Sequence, residues 1–249
     1  MKVCVLASGS KGNVTYIETK NHKILLDMGK KKKYIVDALK EIDVDPKEID
    51  IILISHLHSD HISALETFIK TYKVTVCMPQ EMQVRSQKLL HLNMWWILII
   101  LKKDDTLWFL AAMRSRNFII EEEDSSIVQI TDTGYIKSKY FNLLKNRDVY
   151  LLESNHDIEM LTHGPYPDWL KTRVLSDEGH LSNQAAGFYL SKLIGEKTKK
   201  VFLMHLSEVN NNSEIALKTV NDTLNEYKID FKNIECAEQD SISEVVNIW

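Results

Sequence analysis

Short runs of apolar residues, some alternating with polar ones, recur along the chain and are typical of β-strands in a folded core. The first three runs are separated by turns rich in glycine and asparagine, which predicts a β-meander near the N-terminus. The predicted strands lie at 3–7, 14–18, 23–27, 51–55, 74–78, 118–122, 127–131, 149–152 and 201–204, with closing strands near Ile234 and Val245.

Stretches with helical spacing lie between many of these strands. They predict helices at 34–42, 62–72, 80–92, 182–193 and 213–227, and the runs at 96–101 and 106–111 predict a hairpin. Strands and helices therefore mix throughout the chain, and no internal repeat is visible. This pattern predicts an α/β fold with two mixed sheets and helices on their outer faces.

Length and composition indicate an ordinary globular protein. A chain of 249 residues with 44% hydrophobic and 27% charged residues can bury a large core, and we expect one domain over residues 1–249. The longest apolar stretch, at 94–101, is far shorter than the roughly 20 residues of a membrane-spanning helix. The N-terminus does not resemble a signal peptide. We therefore expect a cytoplasmic protein without a membrane partner.

Cysteine content and net charge argue against a disulfide-rich protein, a cysteine zinc site and a generally basic nucleic-acid-binding protein. Three widely spaced cysteines indicate neither a disulfide framework nor a cysteine zinc site, so we expect reduced core residues. The net charge of −4 gives no general attraction to nucleic acid, although 30–33 and 197–200 are basic runs. No protein partner is indicated by the sequence.

Several predicted strands end at an acidic or imidazole side chain. Burying such a group costs several kcal/mol unless it is paired or binds a metal ion. Five strand-end residues share this property: Asp27, His56, Asp132, Glu153 and His205. We expect them to meet at one site.

The segment HLHSDH, at 56–61, has the highest density of potential ligands. His56 and His58 are two positions apart, so their side chains point the same way on an extended chain. Asp60 and His61 follow where the chain enters a predicted helix. Neutral imidazoles and a carboxylate suit Zn(II), Mn(II) or iron, and two pairs of ligands favour two ions over one.

The motifs resemble a known family. SHLHSDH resembles the signature of the metallo-β-lactamase fold, and Asp27 and TDTGY (131–135) are similar to its flanking acidic motifs. LASGSKGNVTYIE, LLESNHD, GHLSN and LMHLS resemble, in order, the YycJ/WalJ family of single-domain exodeoxyribonucleases with this fold. The similarity spans nearly the whole chain. It implies an αββα sandwich, a di-metal site on its rim and hydrolysis of DNA from the 5′ end.

The resemblance also implies roles for individual residues. It implies two divalent ions, Zn or Mn, with these ligands: His56 and His58 for the first ion, Asp60, His61 and His205 for the second, and Asp132 as the bridge between them. It gives Asp27 the role of orienting a ligand histidine. The order of LLE, GH-x-S and MHLS is also similar to tRNA-processing ribonuclease Z, which implies His180 near the leaving group with Glu153 behind it.

These assignments give a mechanistic hypothesis. Metal-activated hydroxide would attack the phosphodiester, with Asp60 and Asp27 among the catalytic residues, while His180 would protonate the departing oxygen. Ser182 and Asn183 open the helix after GHLSN and could present hydroxyl, amide and N–H groups to phosphate. An N-cap role explains Ser182 equally well. DNA, single- or double-stranded, is the expected substrate.

The chain departs from the family pattern at one place. The family has another ligand histidine shortly before the strands that lead to the bridging aspartate, and no equivalent is found before Phe118. His91 lies in an amphipathic stretch typical of a helix surface, and His156 is the best spare ligand. Three interpretations stay open: a degraded first site, a substitute ligand from elsewhere, or an incomplete or misread segment.

Two other functions remain as alternatives. A thioesterase or lactonase resembling glyoxalase II would use the same ions without needing the GHLSN motif. A metal-poor, non-catalytic nucleic-acid-binding relative would explain the absent histidine. Activity on thioesters rather than DNA would select the first alternative, and failure to take up metal would select the second.

Overall fold

The computed structural model describes residues 1–78, 107–110 and 117–249. The predicted helix at 80–92, His91 and most of the predicted hairpin at 96–111 lie outside these residues. The chain forms two compact units, one comprising Met1–Ala111 with Glu238–Trp249 and the other Ala112–Ala237. Each unit contains a mixed sheet. Among the described residues, no helix has both the length and the apolar character needed to cross a membrane.

The sheet of the first unit combines antiparallel and parallel pairs. Its strand order is β12-β1-β2-β3-β4-β5, with β12-β1-β2-β3 antiparallel and β3-β4-β5 parallel. The strands are β1 (Lys2–Ala7), β2 (Val14–Glu18), β3 (Lys23–Leu26), β4 (Ile51–Leu53), β5 (Thr75–Cys77) and β12 (Val246–Asn247). The predicted meander is therefore confirmed, and the chain's C-terminal strand pairs with its first.

Short helices cover this first sheet. They are α1 (Lys32–Glu41), α2 (Ser59–Ile62) and α3 (Leu65–Ile69), with a 3-10 turn at Pro46–Glu48. The apolar face of α1, including Ile35 and Leu39, packs in one buried cluster with Leu25 and Ile52 of the sheet. The single helix predicted at 62–72 is wrong, because the chain forms two short helices, α2 and α3, over this region.

Five strands of the second unit are hydrogen-bonded in the order β11-β10-β9-β8-β7. All neighbours are parallel except β7 and β8, which form an antiparallel hairpin. The strands are β7 (Phe118–Glu122), β8 (Ser125–Ile130), β9 (Val149–Glu153), β10 (Lys200–Met204) and β11 (Ile234–Cys236), and β6 (Leu107–Leu110) precedes them in the chain. The strands predicted at 118–122 and 127–131 are the ones that pair in this hairpin.

Five helices of the second unit lie in the described residues. They are α4 (Phe141–Leu144), α5 (Ile158–His163), α6 (Asp168–Val174), α7 (Asn183–Leu193) and α8 (Ser213–Glu226). Leu190 of α7 and Val220 of α8 share a buried cluster with Leu152 and Leu203 of the sheet. Because β8, β9 and β10 are parallel, their carboxyl ends lie side by side, and the residues that follow these strands are brought together.

Candidate metal-binding site

Two parallel strands bring the ligands of the first unit together. Leu26 at the end of β3 is paired with Leu53 of β4, so Asp27 reaches Ser55, the residue before His56. Asp27 has a φ of 60°, a left-handed conformation that costs a non-glycine residue on the order of 1 kcal/mol or more. This turn at the strand end aims the carboxylate at the histidine segment.

Asp27 and Ser55 form the buried base of the histidine cluster. The Ser55 N–H donates to Asp27 Oδ1 at 2.7 Å, and its hydroxyl donates to the same carboxylate, 2.7 Å from Oδ2. His61 Nδ1 lies 2.8 Å from Asp27 Oδ2. A carboxylate only accepts, so His61 Nδ1 carries its proton and Nε2 keeps the lone pair that a metal needs.

Ser55 also contacts a second histidine. Because its hydroxyl hydrogen is directed at Asp27, its oxygen accepts from His56 Nδ1 at 3.0 Å. His56 is therefore held with Nδ1 protonated and Nε2 available as a ligand. Ser55 was not among the predicted site residues. Its place immediately before the histidine motif is the only sequence signal for its role.

The HLHSDH segment gathers three imidazoles and a carboxylate. His56 Nε2 lies 2.9 Å from His58 Nδ1, and the His56 and His61 ring centroids are 4.0 Å apart. Asp60 Oδ2 lies 3.4 Å from His61 Nε2. Imidazolium groups this close would repel each other, whereas a shared cation accommodates neutral rings and an acid together. The donor set therefore fits a divalent transition metal.

Gly29 allows the close approach that holds this segment in place. A Cβ at position 29 would lie 1.7 Å from the carbonyl oxygen of Asp60 and 2.5 Å from the backbone nitrogen of Asn13. Both contacts are with backbone, so no side-chain movement could relieve them. The glycine therefore lets three chain segments meet behind the ligand histidines.

In the second unit, three parallel strands end at site residues. Asp132 follows β8, Glu153 ends β9 and His205 follows β10, with Met204 paired to Glu153 in register. Asp132 and His205 have φ values of 56° and 59°. As at Asp27, a left-handed residue within two positions of the strand end turns the side chain toward its neighbours.

Glu153 is the centre of this second group. It is fully buried, and its Oε1 accepts from His180 Nδ1 at 2.6 Å and from His205 Nδ1 at 3.0 Å. Its Oε2 accepts the N–H groups of Thr133 and Leu181. Burial alone would raise the pKa of Glu153, but the charges and hydrogen bonds of His180 and His205 outweigh burial and the pKa is lowered.

Four ligand-type side chains converge here. Potential ligand atoms of Asp132, Glu153, His180 and His205 lie within 4.8 Å of one another. In the neutral form of each histidine, the contact with Glu153 keeps the proton on Nδ1 and leaves Nε2 unprotonated. His180 is about a quarter exposed, whereas Asp132 and His205 are buried. This group also has the chemistry of a divalent-metal site.

The structure gives Ser182 and Asn183 other partners than phosphate. The Ser182 hydroxyl caps helix α7 by accepting from the N–H of Ala185. Asn183 is fully buried, its Oδ1 accepts from Ser154 and Asn211, and its own N–H donates to the His156 carbonyl. Its side chain therefore braces the loop after β9 and offers no surface to a ligand. Contact of Ser182 and Asn183 with a substrate phosphate stays a prediction.

His156, the spare ligand of the sequence analysis, is buried in the second unit. Neither of its ring nitrogens has a hydrogen-bond partner among the described residues. Burial lowers the pKa of His156 to about 4. The family's further ligand histidine lies shortly before the position of Phe118, and most of that segment is outside the described residues. A substitute ligand for it therefore stays a prediction.

The buried His156 predicts a loss of stability in mild acid. Its pKa is lowered on folding, so its contribution is complete above its unfolded pKa of about 6.5 and declines as pH falls toward about 4. Between pH 7 and pH 5, H156F should lose about 2 kcal/mol less free energy of unfolding than wild type. Urea unfolding of metal-free protein measures this difference. H163F, at an exposed histidine, should behave as wild type, and equal losses in all three proteins would contradict the prediction.

Comparisons with known proteins show which family the chain resembles. Residues 7–168 match the model of the metallo-beta-lactamase superfamily. The chain is 34% identical to exodeoxyribonuclease WalJ of Streptococcus pneumoniae serotype 2 over 232 residues, which cover 88% of this chain and 86% of that protein. The chain belongs to the YycJ/WalJ family of the metallo-beta-lactamase superfamily. Another YycJ/WalJ relative, exodeoxyribonuclease YycJ of Bacillus anthracis, is 31% identical over 233 residues, covering 89% of this chain and 88% of that one.

Solved structures show the fold of this YycJ/WalJ family member. The metallo-beta-lactamase fold protein YhfI from Bacillus subtilis matches with a TM-score of 0.66 at 16% identity, over 98% of this chain and 99% of that one. Human tRNase Z, short form, matches with a TM-score of 0.65 at 16% identity, over 99% and 100%. The predicted fold class, an α/β fold of the metallo-β-lactamase type with two mixed sheets flanked by helices, is confirmed.

Proposed function

We propose that this chain is a metal-dependent phosphodiesterase that degrades DNA from the 5′ end. The observation that carries the proposal is its similarity to WalJ and YycJ, both named exodeoxyribonucleases, over most of their length. The chemistry of the two ligand groups supports it, since histidines and carboxylates are the donors that zinc and manganese take in hydrolases. The predicted hydrolase activity therefore agrees with both family and site.

Two divalent ions, Zn(II) or Mn(II), are part of the proposal. The ligands, as the family resemblance implies, are His56, His58, Asp60, His61, Asp132 and His205. When bound, such ions lower the pKa of water and neutralise phosphate charge. Asp27 and Ser55 contribute by holding His56 and His61 in the tautomer that leaves Nε2 unprotonated.

His180 and Glu153 are proposed to serve the leaving group. The Glu153 carboxylate holds His180 Nδ1 at 2.6 Å and would compensate a positive charge on the ring. The partial exposure of His180 lets its other nitrogen face a substrate. A protonated His180 could then transfer a proton to the departing alkoxide oxygen.

The proposal extends to the setting of the reaction. DNA, single- or double-stranded, is the substrate, and a cytoplasmic location would give access to it. We also propose that residues 1–249 work as one domain, since the superfamily match at 7–168 contains residues of both compact units. Cys4, Cys77 and Cys236 are thiols, which is consistent with a reducing compartment.

A digestion assay tests the proposed function. Purified protein loaded with Mn(II) or Zn(II) is incubated with DNA labelled at the 5′ or the 3′ end, as single and double strands. We expect rapid release of the 5′ label as short products, and inhibition by EDTA with recovery when metal is restored. RNA and a thioester serve as comparison substrates. Thioester cleavage without DNA cleavage would contradict the proposal.

A further inference from the structure

Asn155 lies two residues beyond Glu153, the last residue of strand β9, and contacts the loop that carries His205. Its side-chain Nδ2 donates to the backbone carbonyl of His205 at 2.8 Å. Because a carbonyl oxygen can only accept, this contact fixes which end of the Asn155 amide faces His205. Asn155 is 6% exposed and His205 is 4% exposed, so the hydrogen bond is buried.

The backbone of Asn155 is fixed by hydrogen bonds of its own. Its N–H donates to the Leu181 carbonyl at 2.8 Å. Its carbonyl accepts from the Ser207 N–H at 2.8 Å and from Asn211 Nδ2 at 3.1 Å. These contacts do not involve the Asn155 side chain, so they hold the residue in place while its amide is directed at His205.

The backbone of His205 is in an unfavourable conformation. Its φ of 59° is in the left-handed region, which a residue with a side chain seldom adopts. His205 directly follows β10, so its carbonyl lies beyond the residues of β10 that pair with β9. A buried carbonyl is costly to leave without a donor, and the Asn155 amide therefore stabilises the turn at His205.

His205 is thus held at two separate places. Glu153 Oε1 lies 3.0 Å from the ring nitrogen Nδ1, whereas Asn155 contacts the backbone carbonyl. Because Asn155 does not touch the ring, it does not compete with a metal ion for a ring nitrogen. The backbone torsions of His205 set the direction of its Cα–Cβ bond, so a contact that fixes the backbone also determines where the imidazole can point.

We propose that Asn155 is a positioning residue, which holds the His205 backbone so that the imidazole is directed at the other ligands of its metal ion. This inference rests on the proposed function, since it takes His205 as a metal ligand. Asn155 belongs to the LLESNHD segment, but the family resemblance gave this residue no role. In this proposal Asn155 touches neither the metal ion nor the substrate.

Metal affinity distinguishes positioning from general bracing of the loop. If Asn155 positions His205, removal of its amide lets the turn relax, the imidazole moves away from the other ligands and metal affinity falls. If Glu153 and packing alone hold the ring, only protein stability falls. Outer contacts that orient a metal ligand are typically worth 10- to 100-fold in affinity. We expect about 10-fold here, because the contact acts through the backbone of the ligand residue.

The test compares N155A with N233A. Asn233 also donates its Nδ2 to a backbone carbonyl beside β10, that of Lys199, at the opposite end of the strand from His205. Metal-free proteins are titrated with Mn(II) in buffer where urea unfolding shows each to be folded. N155A should bind Mn(II) about 10-fold more weakly, and N233A should bind it with wild-type affinity. The visible absorption of Co(II)-loaded protein reports ligand geometry and should change in N155A alone.

Three outcomes would overturn the role of Asn155. They are unchanged or tighter Mn(II) binding by N155A, a Co(II) spectrum of N155A identical to that of wild type, and an equal loss of affinity in N233A. The last would mean that weakening any loop beside β10 impairs the site. If N155A does not fold, N155S replaces it, because its shorter side chain keeps a polar group and withdraws the donor from the His205 carbonyl.

The wild-type protein separates this inference from the proposed function. Wild-type protein that binds Mn(II) but does not cut DNA would count against the nuclease function alone, and the comparison of N155A with N233A would still decide the role of Asn155. Wild-type protein that binds neither Mn(II) nor Co(II) would overturn both.

Discussion

The H58A variant is expected to lose DNA hydrolysis by about three orders of magnitude, equivalent to roughly 4 kcal/mol of transition-state stabilisation. His58 is exposed, and its Nδ1 lies 2.9 Å from His56 Nε2 at the first ligand group. Because the side chain buries little surface, the free energy of unfolding should change by no more than about 0.5 kcal/mol. Single-turnover digestion of end-labelled DNA and urea unfolding measure the two quantities.

A matched control separates ligation from general effects of removing a histidine. H163A changes another exposed histidine, at the end of helix α5, whose Nδ1 contacts only its own helix among the described residues. It should keep both activity and stability. Metal analysis adds a third comparison, since H58A should retain less metal than either wild type or H163A. Full activity in H58A would contradict the proposed ligand set.

Much of the fold follows from local patterns in the sequence. Strands β2 and β7 occupy the predicted residues, and β1, β9 and β10 differ by one residue at one end. The polar or glycine-rich segments between them predict the turns correctly. Helices α4, α5 and α6 were not predicted, because they are at most seven residues long and show too little periodicity to be recognised.

The strand-end residues were predictable for a physical reason. An acidic or imidazole group after an apolar run is costly to bury without a partner. The sequence therefore predicts that Asp27 and Glu153 have partners, although it does not say which residues they are. The structure identifies those partners as Ser55 and His61 for the first, and His180 and His205 for the second.

The supporting contacts of the site could not be read from the sequence. Ser55 is a small polar residue of the kind found in many turns, and its role depends on a contact with a residue 28 positions away. The position of Asn183 at a helix start suggested phosphate binding. In the structure its side-chain amide is hydrogen-bonded to Asn211 and Ser154, which the sequence did not indicate.

Replacement of Glu153 by glutamine should affect activity and stability together. The carboxylate accepts from two histidines through Oε1 and from two backbone N–H groups through Oε2. Glutamine has one oxygen, so its NH₂ group must face donors on one side. Either the histidines change tautomer or the N–H groups lose their acceptor. We expect E153Q to lose activity by on the order of 10³-fold and stability by about 3 kcal/mol.

The D148N variant tests whether the activity loss is specific. Asp148 is also a buried acid, at the opposite end of β9, where it accepts from Ser126 and pairs with Lys197 and Lys199. D148N should lose comparable stability, measured by urea unfolding, because it leaves similar donors unmatched. Without urea, where D148N is folded, this variant should cut DNA at the wild-type rate and bind Mn(II) with wild-type affinity. E153Q should do neither. Equal loss of activity in D148N and E153Q would mean that Glu153 acts only by stabilising β9, since the two acids lie at opposite ends of that strand and differ in the histidines that contact them.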